Sequence, residues 1–152
     1  MKDQLNRHIV LSETPKRIIS LVPSQTELLV DLGLEDAIVG ITKFCVHPVH
    51  LKGCKAIVGG TKHVHFDKIK ALQPDIILCN KEENTKEMIQ ELEKIATVHI
   101  SDIYTIEDSL ELINLYGTLF SKKKNANAII KGIRERKLEF EEFIKDKPKR
   151  SA

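Results

Sequence analysis

The chain has 152 residues, which is the size of one domain or of one lobe of a larger protein. Hydrophobic residues make up 41% and charged residues 30%, proportions typical of a globular protein with a substantial buried core. The formal net charge is only +2, with 24 basic and 22 acidic residues interspersed. This balance argues against nucleic acid as the main partner, because a phosphate-binding face requires a concentrated excess of lysine and arginine.

The N-terminal residues, MKDQLNRHIVL, contain no apolar stretch as long as a secretion signal, and nothing later approaches the roughly 20 residues of a membrane span. We therefore expect a soluble chain that is either cytoplasmic or has lost its signal. Two of the three cysteines, Cys45, Cys54 and Cys79, could pair in an oxidising compartment, whereas free buried thiols are expected in a reducing one.

Short apolar runs alternate with helical segments, the pattern of stacked βα units and a mostly parallel sheet. Most of the runs are continuous rather than alternating, as expected for strands that are covered on both faces. The predicted strands are residues 17–22, 37–41, 55–58, 75–79 and 97–100, and the predicted helices between them are residues 24–32, 66–72 and 84–95. The fold class is therefore α/β, a Rossmann-like sheet flanked by helices.

The segment PKRIISLVPSQT, residues 15–26, is the clearest strand-to-helix junction. Its polar end meets the start of a helix, and such junctions form the ligand-binding rim of open parallel sheets. Ser24 followed by Glu27 is interpreted as a capping box, and Gly33 as the end of the same helix. A cap-and-acid pattern recurs at Asn84 and Glu87, less perfectly.

The last third of the chain is helical. Apolar residues share one face of a first helix between Ile106 and Phe120, which Asp102 or Thr105 could cap. A second apolar stripe runs over residues 123–144, a rod of roughly 33 Å at about 1.5 Å per residue. We expect this helix either to pack across the sheet or to lead to a second lobe, and an exposed part of its stripe could pair two copies of the chain.

One alternative function is a zinc-dependent enzyme or regulator. Cys45, His47 and His50 have a C-x-H-x-x-H spacing and His63 lies nearby, so soft sulfur and imidazole ligands could meet around zinc; surface histidines on a proline-containing loop would give the same pattern. Against catalysis, the chain has no G-x-S-x-G elbow, and the glycine pair before Thr61 matches neither phosphate-loop nor dinucleotide motifs. A further alternative is an interaction module whose acidic residues 82–91 dock onto a partner.

Taken in order, several segments resemble the N-terminal half of the substrate-binding proteins of iron-siderophore, haem and vitamin B12 ABC importers, the helical-backbone metal receptor or TroA-like superfamily. They are residues 3–10, PKRIISLVPSQTELLVDLGLEDAIVGIT, residues 45–48, VGGTKHVHFDKIKALQPDIILCN and residues 84–92. The resemblance implies two α/β lobes joined by a long rigid helix, with a ligand clamped between them and no catalysis. It divides the chain into a lobe at 1–104, a helical segment at 105–147 and the start of a second lobe at 148–152.

The resemblance also implies the binding site and the partners. The cleft loops of the family correspond to Pro23, Ser24, Gln25, Phe44, Cys45, Thr61, Lys62, His63, Asn80 and Lys81. The implied ligand is cobalamin or an iron chelate, with no intrinsic cofactor, and the implied location is the periplasm or cell envelope. The family presents a carboxylate to the transporter permease near the start of the 84–95 helix, where Lys86 holds the nearest register and Glu87 is adjacent.

Overall fold

The computed structural model describes residues 1–45 and 47–145, in which five parallel strands form one sheet in the order β3-β2-β1-β4-β5. The strands are β1 Ile18–Ser20, β2 Ile38–Ile41, β3 Ala56–Ile57, β4 Ile76–Asn80 and β5 Thr97–Ser101. The helices are α1 Pro23–Asp31, α2 Leu51–Cys54, α3 Phe66–Leu72, α4 Lys86–Glu93, α5 Ile106–Leu119 and α6 Lys123–Lys145. The predicted α/β class, all five predicted strands and the long last helix are confirmed.

Helices cover both faces of the sheet, which explains why the strands are continuous apolar runs. Successive strand residues point to opposite faces, so Ile18 packs with α1, α5 and α6, whereas the adjacent Ile19 packs with α3 and α4. Ile76 and Ile77 of β4 divide between the two faces in the same way, and all four side chains are fully buried.

The helix ends agree with the sequence interpretation in part. The capping box predicted for α1 is wrong: Val22 is the N-cap and no side chain caps the helix, because Pro23 already occupies the first turn with a suitable fixed φ. Gly33 ends α1 as predicted, with φ +80. Thr105 caps α5 in a full capping box with Asp108. The cap of α4 is Thr85, whose side chain accepts from Met88 N, one residue beyond the predicted Asn84.

The helices α5 and α6 pack together as a hairpin. Arg134 and Lys137 of α6 lie within 4 Å of Glu107, in the first turn of α5, at 3.9 and 3.8 Å. This contact brings the middle of α6 level with the edge of the sheet where β5 ends, so the rest of α6 extends past that edge. Its apolar face continues there, with Phe140 62% exposed and Ile144 53% exposed.

The described helices include none that is long and apolar enough to span a membrane. The predicted second-lobe start at 148–152, and the last two residues of the predicted helical segment, lie outside the described residues.

Candidate functional site

The candidate site is the edge of the sheet at which its strands end, here called the binding edge. The ten cleft residues predicted from the sequence lie in the first turn of α1, in the loops after β2 and β3, and at or just after the end of β4, positions that share one edge of a parallel sheet. The connection after β1 crosses one face of the sheet and the connection after β4 crosses the other. The ends of β1 and β4 therefore border a crevice, the usual ligand position in such sheets.

A groove of about 450 Å³ lies at this crevice. It is bounded by the start of α1, the loop after β4 and the first half of α5. Polar groups of Ser24, Asn80 and Ser109 and apolar groups of Ile103 and Leu112 are among those that line it. Ser24 is exposed and Pro23 and Asn80 are half-buried, so the groove offers both hydrogen-bonding and apolar contact.

Gln25 lies below the groove, and its side chain makes hydrogen bonds in the protein interior. The residue is 2% exposed; its Nε2 donates to Ser101 Oγ, and its Oε1 accepts from the hydroxyl of Tyr116 at 2.8 Å. Asn80 Nδ2 also donates to Ser101 Oγ, at 3.0 Å. This buried network links α1, β4, β5 and α5, and it fixes the floor of the groove.

Cys45 is likewise fully buried. Its Sγ lies 3.1 Å from Thr26 Oγ1 and 3.3 Å from Thr42 Oγ1, contacts that attach the loop after β2 to α1. The sequence hypothesis placed Cys45 near zinc-binding histidines, but His47 and His63 are exposed. Within residues 1–45 and 47–145 no group of three or more histidine, cysteine, aspartate or glutamate side chains could hold a metal ion.

The other candidate zinc ligand, His50, is paired with a carboxylate, and the cysteines form no disulfide. His50 Nε2 pairs with Glu35 Oε1 on an exposed surface. All three cysteines are free; Cys54 is exposed and Cys79 is buried in the core, where burial raises the pKa of its thiol. The geometry therefore gives no support to a zinc-dependent enzyme.

The loops after β2 and β3 present an aromatic and basic surface. Phe44 is 51% exposed, and Lys43 Nζ lies 5.2 Å from the centroid of its ring. The ring packs on Gly60, where an added Cβ would lie 3.3 Å from Phe44 Cε2. Lys62 and His63 are exposed in the next loop, and Thr61 is half-buried.

Asn84 is a residue of the site that sequence reasoning assigned only as a helix cap. It is 3% exposed; its Oδ1 accepts from Asn80 N at 2.8 Å, and its Nδ2 donates to the carbonyls of Thr61 at 2.8 Å and Leu21 at 3.5 Å. One side chain thus fastens the loops after β1, β3 and β4 together. The only local sequence signal for this role of Asn84 is the N-x-x-x-N spacing of Asn80 and Asn84. Asn80 forms an Asx-type turn there, in which its Oδ1 accepts from Glu82 N.

Tyr104, which sequence reasoning also missed, lies at the same edge. Its hydroxyl donates to Glu82 Oε1 at 2.8 Å and this bond raises the tyrosine pKa to about 12. Tyr104 is 67% exposed. The signal that the sequence offered is an aromatic residue in a loop after a predicted strand. Lys81 lies beside this pair, with Nζ 3.9 Å from Asp102 Oδ2.

The predicted docking carboxylate, Glu87, is not one of the residues that line the groove. Glu87 is exposed in the first turn of α4, and the neighbouring Lys86 is exposed as well.

The sequence profile of the periplasmic binding protein family matches residues 18–152. The chain belongs to this family. Among curated members, it is 26% identical over 136 residues to the uncharacterized ABC transporter substrate-binding lipoprotein YvrC of Bacillus subtilis (strain 168), a match that covers 87% of this chain and 43% of YvrC. It is 28% identical over 97 residues to the vitamin B12-binding protein of Pectobacterium carotovorum subsp. carotovorum (strain PC1), covering 64% of this chain and 34% of that protein.

Solved structures of binding proteins share the fold. The siderophore binding protein BauB, solved with two molecules of acinetobactin and ferric iron, superposes with a TM-score of 0.85 at 22% identity, covering 99% of this chain and 55% of BauB. The chain therefore spans about half, or less than half, of the length of these periplasmic binding proteins.

Proposed function

We propose that this chain is one lobe of the substrate-binding component of an ABC importer and that it binds a metal-bearing ligand such as cobalamin, a ferric siderophore or haem. The observation that carries the proposal is the binding edge: four loops and a groove gather where the strands of a parallel sheet end, and α6 runs past them. Family membership and the names of the relatives support the same function.

The remaining wall of the cleft is proposed to be a second lobe beyond α6. The lobe described here corresponds to 1–104 and the helical connector to 105–147, with 148–152 opening the second lobe. The apolar face of α6 supports this arrangement, because Phe140 and Ile144 continue past the edge without cover from the described lobe. When only this lobe is present, we propose that a second copy covers the same face, which a sedimentation measurement over a dilution series would test.

The ligand contacts are proposed to come from the exposed and half-buried members of the predicted set. They are Pro23, Ser24, Phe44, Thr61, Lys62, His63, Asn80 and Lys81. Gln25 and Cys45 belong to the site through their buried hydrogen bonds, which hold α1 and the loop after β2 in position. Polar loop tips can hydrogen-bond the periphery of a bulky ligand while Phe44 gives apolar contact.

The partner is proposed to be the transporter permease, and the compartment the periplasm or the outer face of the cell membrane. YvrC is named a lipoprotein and the family a periplasmic one, which supports this compartment. Glu87 is the proposed docking carboxylate, because it is exposed in the first turn of α4.

A pair of substitutions on α1 tests the proposed binding site. Ser24→Trp adds a large ring at the groove, whereas Asp31→Trp adds the same ring at an exposed position of the opposite end of the helix. We measure equilibrium dialysis of cyanocobalamin, haemin and a ferric tris-catecholate against the chain. For a half-cleft we expect at least one dissociation constant between about 1 μM and 1 mM.

Ser24→Trp should weaken that binding at least about tenfold, the equivalent of 1.4 kcal/mol, and Asp31→Trp should leave it unchanged. The proposal fails if none of the three compounds binds in this range, or if both tryptophan variants bind as the unmodified chain does.

A further inference from the structure

Residues 1–9 form a hairpin, here called the N-terminal hairpin, that lies along the free edge of the sheet. Its two arms pair through an antiparallel bridge, and the buried Asp3 carboxylate accepts from main-chain N–H groups at its turn. Because β5 is the last strand in the order of the sheet, the main-chain groups on its outer side need partners from outside the sheet. The hairpin supplies them: Gln4 N donates to the Ile100 carbonyl at 3.2 Å, and Ile100 N donates to Asp3 Oδ2 at 3.2 Å.

Gln4 connects the N-terminal hairpin to the binding edge. Its side chain spans the loop of residues 102–105, which joins β5 to α5: Oε1 accepts from Asp102 N at 2.8 Å, and Nε2 donates to the Asp108 carbonyl at 2.9 Å. One amide group therefore ties the end of β5 to the first turn of α5 and fixes the separation between the two ends of the loop. The two partners lie 98 and 104 residues away from Gln4 in the sequence, so no local pattern indicates the contact.

The loop that Gln4 spans forms one side of the groove. Ile103 lies in the groove wall, and the next residue, Tyr104, donates its hydroxyl to the carboxylate of Glu82, which also lines the groove. The wall on this side is thus continuous from the loop after β4 to α5. The capping box of α5 also holds the α5 end of the loop, whereas at the β5 end Gln4 holds the main chain.

From these contacts we infer that Gln4 is a positioning residue of the proposed binding site, because it holds the loop that places Ile103 and Tyr104 in the groove wall. The inference rests on the proposed function and adds the N-terminal hairpin to the parts of the chain on which ligand binding depends. Gln4 is half-buried and is not one of the residues that line the groove, so it acts through the loop and not by contact with the ligand. Without its two hydrogen bonds the loop gains conformational freedom that ligand binding has to remove, and binding weakens.

The test variant is Gln4→Met, which removes both side-chain hydrogen bonds and keeps the length of the side chain. Gln90→Met, at an exposed position of α4, is the matched control. Equilibrium dialysis of cyanocobalamin, haemin and a ferric tris-catecholate measures binding. For each compound that binds the unmodified chain, Gln4→Met should raise the dissociation constant at least about threefold, and Gln90→Met should change it less than about 1.5-fold.

A second measurement follows the loop itself, through the ionisation of Tyr104. The chain has two tyrosines and no tryptophan, and burial raises the pKa of the other one, Tyr116, well above its usual 10, so the ultraviolet absorbance of tyrosinate reports on Tyr104. The bond to Glu82 raises the pKa of Tyr104 to about 12, so about a tenth of Tyr104 is ionised immediately after a jump to pH 11. In Gln4→Met the freed loop loses this bond, the pKa falls towards 10, and the ionised fraction should rise at least about threefold.

The outcomes separate the inference from the proposed function. Unchanged ionisation of Tyr104 in Gln4→Met, unchanged dissociation constants, or equal weakening of binding by both methionine variants overturns the inference and leaves the binding function in place. Absence of binding by all three compounds up to about 1 mM overturns the proposed function and, with it, the role of Gln4 in binding. The ionisation of Tyr104 then still decides whether Gln4 holds the loop.

Discussion

Asn84→Ala is the sharpest test of how the binding edge is held together. The Asn84 side chain is buried and makes two short hydrogen bonds, both of 2.8 Å, to Asn80 N and to the carbonyl of Thr61. Loss of each costs about 1 kcal/mol, and the partly buried groups left without a partner add about 1 kcal/mol more. We therefore expect the free energy of unfolding to fall by about 3 kcal/mol, with the 3.5 Å contact to Leu21 adding little.

Equilibrium urea unfolding followed by circular dichroism measures this loss. Asn114→Ala is the matched control, since Asn114 is exposed on α5, and its free energy of unfolding should change by no more than about 0.5 kcal/mol. A fall of less than about 1 kcal/mol in the free energy of unfolding of Asn84→Ala, with an unchanged linear dependence on urea concentration, would mean that other contacts hold the loops after β1, β3 and β4. Our account of the binding edge would then be wrong.

Three further substitutions test the core and the packing of α6. Burial lowers the pKa of His99 to about 4 from its usual 6.5, so the unfolded chain takes up a proton first as the pH falls, and stability is lost between pH 6.5 and 4. Urea unfolding at pH 7 and at pH 4 measures this loss. Between the two pH values, the free energy of unfolding of His99→Leu should fall by about 3 kcal/mol less than that of the unmodified chain, and an equal fall in both proteins would contradict the prediction. Gly117→Ala should destabilise the chain by about 1–2 kcal/mol in the same assay, because its new Cβ would lie 2.6 Å from Ala126 Cβ where α5 meets α6. Gly132→Ala, with no neighbouring atom within 4 Å, should instead stabilise α6 by up to about 1 kcal/mol, and equal signs for the two would refute the packing argument.

Several features of the fold could be read from local sequence. Apolar runs such as the one around Ile18 and Ile19 predict strands buried on both faces, and both residues are fully buried on opposite sides of the sheet. Gly33 at the end of α1 was also predictable, because a positive φ after a helix favours glycine. In an all-parallel sheet these elements place the loops after the strands at one edge, so the position of the site followed from the order of strands and helices.

Tertiary contacts decided which polar side chains at that edge are buried and which are exposed. Gln25 is buried because Ser101 and Tyr116, 76 and 91 residues away in sequence, supply its hydrogen-bond partners. Ser24, the next residue back, has no side-chain partner in the helix and remains exposed at the groove.

The sequence by itself thus determined the class of the fold, the edge at which loops gather and the long helix α6, because strand burial and helix periodicity are properties of neighbouring residues. Only the tertiary structure decided which polar side chains are exposed at the groove and which are buried beneath it. Asn84 holds the loops after β3 and β4 together, and Gln25 is buried against Ser101 and Tyr116, through contacts between segments that are far apart in the chain. Hydrogen bonds and ion pairs across such separations depend on the completed packing and leave no periodic signal in the sequence.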